Sequence, residues 1–174
     1  MKLLLHTCCA PCSAAIIEYL LQRDIRPVLF YFNPNISPKE EYEKRKNELD
    51  KYTCSIGIKT IDGDYNHELW LNAISGLESE PERGRRCLKC FHFRLFATAK
   101  LANDKGFDTV ATTLGSSRWK NINQIADAGK SAVEQFPKLT FWDKNWRKEG
   151  LTVRRAILLR ENGFYNQTYC GCEF

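Results

Sequence analysis

Residues 1–13, MKLLLHTCCAPCS, contain the pattern that best indicates the fold of this chain. The apolar run at residues 3–5 shows no polar alternation, which is typical of a fully buried strand in a parallel sheet. Pro11 stands where a helix can begin, and residues 13–22 carry apolar side chains at helical spacing. The opening therefore predicts a strand, a loop containing Cys8 and Cys9, and a helix.

The same alternation of strand and helix continues along the remaining sequence. Further strands are predicted at residues 28–32, 58–61, 108–114 and 138–142. Further helices are predicted at residues 39–52, 68–75, 90–103, 123–135 and 153–159, the first of them a charged surface helix with Glu41 and Arg45 at i,i+4 spacing. This order predicts an α/β fold: one doubly wound, mainly parallel sheet with helices on both faces, forming a single domain over residues 1–174.

Composition places the chain among ordinary globular proteins. It has 174 residues, 43% hydrophobic content and a formal net charge of +5, from 26 Lys+Arg and 21 Asp+Glu. Ten Phe, seven Tyr and four Trp exclude disorder as the main state. No apolar run is long enough to span a membrane, and the opening residues lack a signal-peptide pattern, so we expect a cytoplasmic protein. No glycine-rich phosphate loop is present, so ATP and nicotinamide cofactors have no sequence signal.

Eight cysteines are the most informative feature of the composition. Because cytoplasmic thiols stay reduced, we expect no disulfides. Seven of the eight fall into three groups, and their C-x-x-C and C-x-C spacings are typical of thiolate ligands to zinc or an iron–sulfur cluster. Seven thiolates exceed one four-cysteine site and fall short of two, which favours a [4Fe–4S] cluster beside a second metal over structural zinc sites. The proposed ligands are Cys8, Cys9, Cys12, Cys87, Cys90, Cys170 and Cys172; Cys54 is expected to be an ordinary cysteine.

Parallel sheets bind ligands at the carboxyl ends of their strands, and several polar groups are predicted there. Asp62 and Asp64 follow the third strand, and either form a turn or, for Asp64, supply an oxygen ligand to an iron with an open position. His6 lies on the first strand, where a hydrogen-bonded core histidine is the more common role than a catalytic one. The cysteine groups and Asp64 are thus expected to share one edge of the sheet.

Basic and aromatic residues accompany the predicted metal ligands. Arg85 and Arg86 precede Cys87, and Arg118, Trp119 and Lys120 follow the fourth predicted strand. Such side chains are often only solvated, but together they favour phosphate contacts and base stacking. A net charge of +5 supports a nucleic-acid partner without demonstrating one.

Taken together, the motifs resemble the epoxyqueuosine reductase QueH family from one end of the chain to the other. The sequence departs from the family pattern in GSSRWK at residues 115–120, where a Ser-Pro is more usual, and at Asn166, where an arginine is typical. The matching motifs are His6-Thr7-Cys8-Cys9-Ala10-Pro11-Cys12, Asn33-Pro34-Asn35-Ile36, Glu80-Pro81, Arg86-Cys87 with Cys90, Arg94-Leu95, Thr112-Thr113-Leu114 and Tyr169-Cys170-Gly171-Cys172.

The resemblance implies a sheet similar to the PP-loop and HUP folds, with the ATP loop replaced by the cysteine loop. It also implies two-electron removal of the epoxide oxygen of epoxyqueuosine at the tRNA wobble position, using a [4Fe–4S] cluster and an adjacent iron. Asp64, Cys8 and Cys9 are then the expected catalytic residues, although spacing assigns no cysteine to either metal. Expected partners are a tRNA anticodon loop, contacted by Arg85, Arg86, Arg118, Trp119 and Lys120, and an external low-potential donor of the ferredoxin or flavodoxin type.

Two other functions use similar residues. A PP-loop-like tRNA sulfur-transfer enzyme would also carry clustered cysteines and basic side chains, but it would need an ATP loop that this sequence lacks. A non-catalytic zinc module that binds RNA would be colourless and contain no iron.

Overall fold

The computed structural model describes all 174 residues of the chain. Strands and helices follow the predicted order, in which they alternate except for two successive helices between the third and fourth strands. The elements are β1 (Leu3–Thr7), α1 (Ala10–Leu21), β2 (Val28–Tyr31), α2 (Lys39–Ser55), β3 (Thr60–Asp62), α3 (His67–Ala73), α4 (Arg85–Asp104), β4 (Thr109–Thr112), a 3-10 helix (Thr113–Ser116), α5 (Ile122–Val133), β5 (Thr140–Phe141) and α6 (Leu151–Glu161).

The five strands form one sheet in the order β3-β2-β1-β4-β5, and every neighbouring pair is parallel. β1 occupies the centre, with His6 paired to Phe30 of β2 on one side and to Thr112 of β4 on the other. The prediction of a doubly wound sheet is confirmed, and the sheet is entirely rather than mainly parallel.

Alternate residues of the central strands face opposite layers of helices. Leu4 and Val110 belong to the core that contains α4 and α5, whereas Leu3 and Leu5 belong to the core that contains α1 and α6. All four are essentially inaccessible to solvent. Both faces of the sheet are therefore covered, which explains why the strands read as uninterrupted apolar runs.

Most differences from the predicted elements lie at their ends. α4 begins at Arg85 rather than at residue 90, so that both Cys87 and Cys90 lie on the helix. The predicted fourth strand ends at Thr112, where the Thr112 hydroxyl accepts a hydrogen bond from the Leu114 amide and starts the 3-10 helix. None of the six helices combines the length and apolar composition needed to cross a membrane.

Candidate metal centre

Three cysteine thiols meet where β1 passes into α1. Cys9 is the N-cap residue of α1, and its extended backbone turns the chain from the strand into the helix. Pro11 lies in the first helical turn, where its missing N–H breaks no helical hydrogen bond. The sulfurs of Cys8, Cys9 and Cys12, which we call the thiol trio, all lie within 4.8 Å of one another, and all three residues are buried.

The three thiols influence each other's protonation. Hydrogen bonds from the Cys12 and Cys9 thiols lower the pKa of Cys8, and the positive charges of Lys120 and Arg94 lower it further. Burial raises the pKa of Cys9, and the hydrogen bond to Cys8 raises that of Cys12. Cys8 is therefore the thiol of the trio that loses its proton most readily.

The trio lies at the topological switch point of the sheet. From β1 the chain winds outward through β2 and β3, and then returns to the other side of β1 to form β4 and β5. In such sheets ligands bind beyond the carboxyl ends of the strands at this reversal. The loops after β1 and β4 meet there, and the Cys8 sulfur lies 3.8 Å from the Thr113 hydroxyl.

His6 lies inside the sheet, two residues before the trio. It is fully buried, with Nε2 3.1 Å from the Phe32 carbonyl and Nδ1 2.9 Å from the Thr112 hydroxyl. Because a carbonyl only accepts, Nε2 donates to Phe32, and the Thr112 hydroxyl donates to Nδ1. Burial and then the charge of Arg94 lower the pKa of His6 to about 3, which matches this neutral form. The prediction of a hydrogen-bonded core histidine is confirmed.

Cys87 and Cys90 lie on the first turns of α4, three residues apart on one side of the helix. The Cys87 sulfur accepts a hydrogen bond from the Arg83 amide at 3.3 Å. Cys87 packs against the core that contains the thiol trio, while Cys90 packs against Trp70 of α3. All eight cysteines are free thiols.

Cys170 and Cys172 belong to residues 165–174, which contain no helix or strand and which we call the docked segment. The thiol and amide of Cys172 hydrogen-bond to the Cys170 sulfur and, with the charge of Lys120, lower the pKa of Cys170 to about 6. Cys172 packs against the cluster of Trp70 and Cys90. At the other end of the segment, Gln167 Nε2 donates to the Cys9 sulfur at 2.7 Å. The docked segment therefore connects the second cysteine group to the first.

The remaining predicted ligands do not join the close sulfur group. The four thiols of Cys87, Cys90, Cys170 and Cys172 lie outside the 4.8 Å group formed by the trio. Asp64 is also outside it, exposed in the loop between β3 and α3, while the neighbouring Asp62 pairs with Lys46 at 3.1 Å. The structure thus presents one preformed three-thiol group with further thiols on α4 and the docked segment.

The loop after β4 presents basic and aromatic side chains to solvent. Trp119 is 64% exposed, and the Arg118 guanidinium lies 4.6 Å from the centre of its ring. The backbone of this loop is held by two other arginines, since Arg83 donates to the carbonyls of residues 118 and 119 and Arg147 to those of residues 115, 117 and 120. The backbone of this loop is therefore fixed, while the side chains of Arg118 and Trp119 are accessible to a ligand.

The two predicted RNA contacts on α4 have different surroundings. Arg85 is largely exposed, with only a 3.9 Å contact to the Glu80 carboxylate. Arg86 is buried and donates to the carbonyls of Glu78, Glu80 and Phe174. Its guanidinium thus holds the preceding loop and the docked segment, a role that an arginine-rich sequence does not reveal.

Sequence reasoning missed three other residues of the site. Arg94 on α4 is buried, bonds to the Asn33 side chain and lies 4.0 Å from the Cys90 sulfur. Gln167 contacts Cys9 directly, and Arg45 binds the docked segment. Arg94 stood in a motif of the family resemblance without a role assigned to it. Arg45 was visible only through its i,i+4 spacing with Glu41, which is equally typical of solvated helix faces.

The chain is similar to known proteins over nearly its whole length. A family model described as epoxyqueuosine reductase QueH matches residues 3–174. The epoxyqueuosine reductase QueH of Haemophilus influenzae is 43% identical over 99% of this chain and 71% of its own length. Those of Acinetobacter baylyi and Thermotoga maritima are 43% and 35% identical, over 99% and 98% of this chain and 79% and 88% of their own lengths.

Proposed function

The chain belongs to the epoxyqueuosine reductase QueH family, and from this premise we propose that it reduces epoxyqueuosine in tRNA to queuosine. The reaction breaks both C–O bonds of the epoxide, forms a C=C bond, consumes two electrons and two protons, and releases water. The thiol trio at the topological switch point is the observation that carries this proposal, because it is a buried sulfur site where such a sheet binds its ligand.

The thiol trio fits a metal centre with soft ligands, and we propose that this centre is a [4Fe–4S] cluster with a second iron beside it. Three sulfurs converge at a buried point, a donor set that suits iron–sulfur clusters and zinc far better than hard cations. We propose that the seven grouped cysteines hold the two metals and that Asp64 supplies an oxygen ligand to the second iron. When bound, these groups supply low-potential electrons and a Lewis acid that polarises a C–O bond.

The chain's own residues prepare the surroundings of this centre. Cys9 is 1% exposed beneath Gln167, so the site is shielded from water. Lys120 and Arg94 place positive charge near Cys8, which favours the thiolate needed by any metal ligand. The loop that carries Lys120 also presents Trp119 to solvent, and we propose that this surface receives the anticodon loop by base stacking and phosphate contact.

Electrons must come from another protein in this proposal. The sequence offers no nicotinamide or flavin motif, and we propose a reduced ferredoxin or flavodoxin as the donor.

The decisive experiment is an assay on anaerobically reconstituted protein. We expect the protein to contain bound iron and sulfide. When a reduced ferredoxin is added without ATP, it should convert epoxyqueuosine in tRNA to queuosine, as measured by mass spectrometry of the nucleosides. Dependence on ATP with sulfur incorporation would instead identify a sulfur-transfer enzyme. A colourless protein that binds zinc and tRNA but converts nothing, even after iron reconstitution, would identify an RNA-binding zinc module.

The role of Asp64 is tested by Asp64→Asn, with Asp62→Asn as the matched control. If Asp64 binds the second iron, the Asp64→Asn protein should keep its sulfide and its cluster absorbance. It should lose about one iron per chain and its catalytic turnover. Asp62 pairs with Lys46, so its variant should retain both metals. Unchanged iron and turnover in Asp64→Asn would contradict the assignment.

The RNA surface is tested by Trp119→Ala and Arg118→Gln. Loss of stacking should weaken tRNA binding by about 1–3 kcal/mol, and loss of a phosphate contact should reduce the salt-dependence slope by about 1. Lys105→Gln removes an exposed charge at the far end of α4 and should leave binding unchanged. Equal effects in all three variants would indicate general charge attraction rather than this surface.

A further inference from the structure

One face of α2 contacts the docked segment. This face carries four charged side chains at i, i+3, i+4, i+7 spacing, namely those of Glu41, Lys44, Arg45 and Glu48. Glu41 Oε2 accepts from the Tyr165 hydroxyl at 3.2 Å, and Glu48 Oε1 accepts from the Tyr165 amide at 2.6 Å. The Lys44 ammonium lies 3.4 Å from the centre of the Tyr165 ring. These side chains of α2 thus form a surface to which the docked segment binds.

Arg45 makes the contacts nearest to the cysteines of the segment. Its side chain is 2% exposed although it belongs to a highly charged helix. Nη2 donates to the Tyr169 carbonyl and Nη1 to the Cys170 carbonyl, both at 3.2 Å. Nε donates to Glu41 Oε1 at 2.7 Å, which fixes the plane of the guanidinium. One side chain therefore holds two successive carbonyls at the start of the Cys170–Cys172 turn.

A buried charge of this kind carries a desolvation cost. Burial alone pulls the pKa of Arg45 down, but the hydrogen bond and charge of Glu41 more than compensate, and the pKa is raised. Replacing such a buried ion pair by apolar side chains of similar volume is often possible without loss of stability. The ion pair is therefore poorly explained as a stabilising feature of α2, whereas its donors match the segment's carbonyls.

The opposite side of the turn is held by the loop after β2. The Ser37 amide donates to the Gly171 carbonyl, and the Tyr169 hydroxyl donates to the Ser37 carbonyl, both at 2.8 Å. Gly171 has a φ of +104°, and a Cβ there would lie 2.7 Å from Ile36 Cγ1. The Cys170–Cys172 turn is therefore enclosed between Arg45 and residues 36–37, which restricts the conformations of its backbone.

We propose that Arg45 is a positioning residue that fixes the Cys170–Cys172 turn, so that its two thiols stand in place before metal binds. This role rests on the proposed function only in taking these thiols as metal ligands. The position of the turn itself can be measured in metal-free protein without any substrate.

The test compares Arg45→Gln with the double variant Glu41→Gln/Arg45→Gln in the full-length, metal-free chain. Removing Arg45 alone leaves Glu41 without its partner and lowers overall stability, whereas removing both charges restores it. Both variants lack the two carbonyl contacts. We therefore expect Cys170 and Cys172 to be alkylated about tenfold faster in both, measured by mass spectrometry, with the double variant melting within about 3 °C of the parent. Iron bound after anaerobic reconstitution should fall in both.

Other thiols and a surface charge provide the controls. Cys8 and Cys12 should remain as slow to react as in the parent, whereas Cys9 is not a control, because it lies beneath Gln167 of the docked segment. Lys51→Gln removes an exposed charge on the same helix and should change nothing. Arg45→Lys keeps a charge opposite Glu41 but cannot hold two carbonyls, so it should give an intermediate rate. Unchanged Cys170 and Cys172 rates in the double variant, or equal acceleration at all thiols, would overturn the positioning role. Faster alkylation of Cys170 and Cys172 together with full iron loading would show that Arg45 positions the turn but that the turn supplies no ligand. That result would count against the proposed ligand set.

Discussion

The thiol trio and the docked segment both bring cysteines to the same region, but the fold holds them in different ways. Cys8, Cys9 and Cys12 extend from the central strand and the first turn of α1, and all lie in the main cores. Cys170 and Cys172 have no regular secondary structure and depend on side chains from α2, α3 and α4. One set is built by backbone geometry, and the other is fixed by contacts from distant parts of the chain.

This difference suggests a division of stability. The trio can lose its arrangement only if β1 leaves the sheet, which amounts to global unfolding. We expect the docked segment to detach while the sheet stays intact, since it contains no helix or strand and is held by side-chain contacts such as those of Arg45 and Arg86. Substitutions in the two regions should therefore separate metal binding from folding.

The largest effect is expected from Cys9→Ala in the trio. Loss of a thiol from the preformed group should abolish iron loading and reduce turnover by at least about 100-fold, while the smaller side chain leaves the sheet folded. Iron analysis, circular dichroism and the tRNA assay measure these outcomes together. Cys90→Ala is expected to behave alike, and full iron loading in either variant would exclude that thiol as a ligand.

A smaller loss is expected from Gly171→Ala in the docked segment. The new Cβ would approach Ile36 and the residue would keep an unfavourable positive φ, which together cost about 3 kcal/mol of docking free energy. Gly163 also has a positive φ, +61°, but a Cβ there meets nothing within 4 Å, so Gly163→Ala is the matched control. Alkylation of Cys170 and Cys172 should accelerate only in Gly171→Ala; equal behaviour would show that the turn is not confined by Ile36.

His6 provides a pH-dependent test of the region around the trio. The folded protein holds the pKa of His6 at about 3, whereas the unfolded chain protonates it below its ordinary value of 6.5. The stability supplied by neutral His6 is present above pH 6.5 and is lost as the pH falls toward 3. Between pH 7 and pH 5 this amounts to about 2 kcal/mol of unfolding free energy.

Urea unfolding of metal-free protein at the two pH values measures this loss. His6→Gln should remove about 2 kcal/mol of the pH dependence, whereas His92→Gln, on the half-exposed surface of α4, should keep it. If the parent and His6→Gln lose the same stability, another group governs the acid sensitivity. If the two regions are independent, the alkylation rates of Cys170 and Cys172 should not follow this pH dependence of stability.

The smallest effect is expected at Cys54, which belongs to neither region. It is exposed near the end of α2 and has no thiol neighbour in the close sulfur group. Cys54→Ala should change the unfolding free energy by no more than about 0.5 kcal/mol and leave iron content unaltered. Loss of iron there would show that the grouping of cysteines along the sequence misled the ligand assignment.

Local patterns predicted the sheet well because each strand and helix carries its own signal. Leu3, Leu4 and Leu5 form an apolar run that only a sheet covered on both faces accommodates, and Pro11 marks the start of α1. The place of the trio at the carboxyl edge of the sheet followed from its position directly after the first predicted strand. These features depend on neighbours in sequence, where periodicity is informative.

Long-range contacts could not be predicted in this way. Nothing near Arg45 in sequence distinguishes it from a solvated helix residue, because its partners lie 124 and 125 residues away. Arg86 was expected to face RNA, but it is buried against the carbonyls of Glu78, Glu80 and Phe174. Pairwise tertiary geometry decides such roles, and single-residue patterns do not encode it.

If the cysteines bind metal as proposed, the placement of Gln167 over Cys9 has a kinetic consequence for metal assembly. With the docked segment in place, Cys9 is 1% exposed, so an iron donor reaches it only during a local opening of that segment. The rate of loading should then follow the opening equilibrium of residues 165–174 rather than the global folding equilibrium. Amide hydrogen exchange in this segment should be the fastest among the metal-contacting parts of the apoprotein. It should slow most after reconstitution, because metal–thiolate bonds convert the most labile part of the site into one of its most protected.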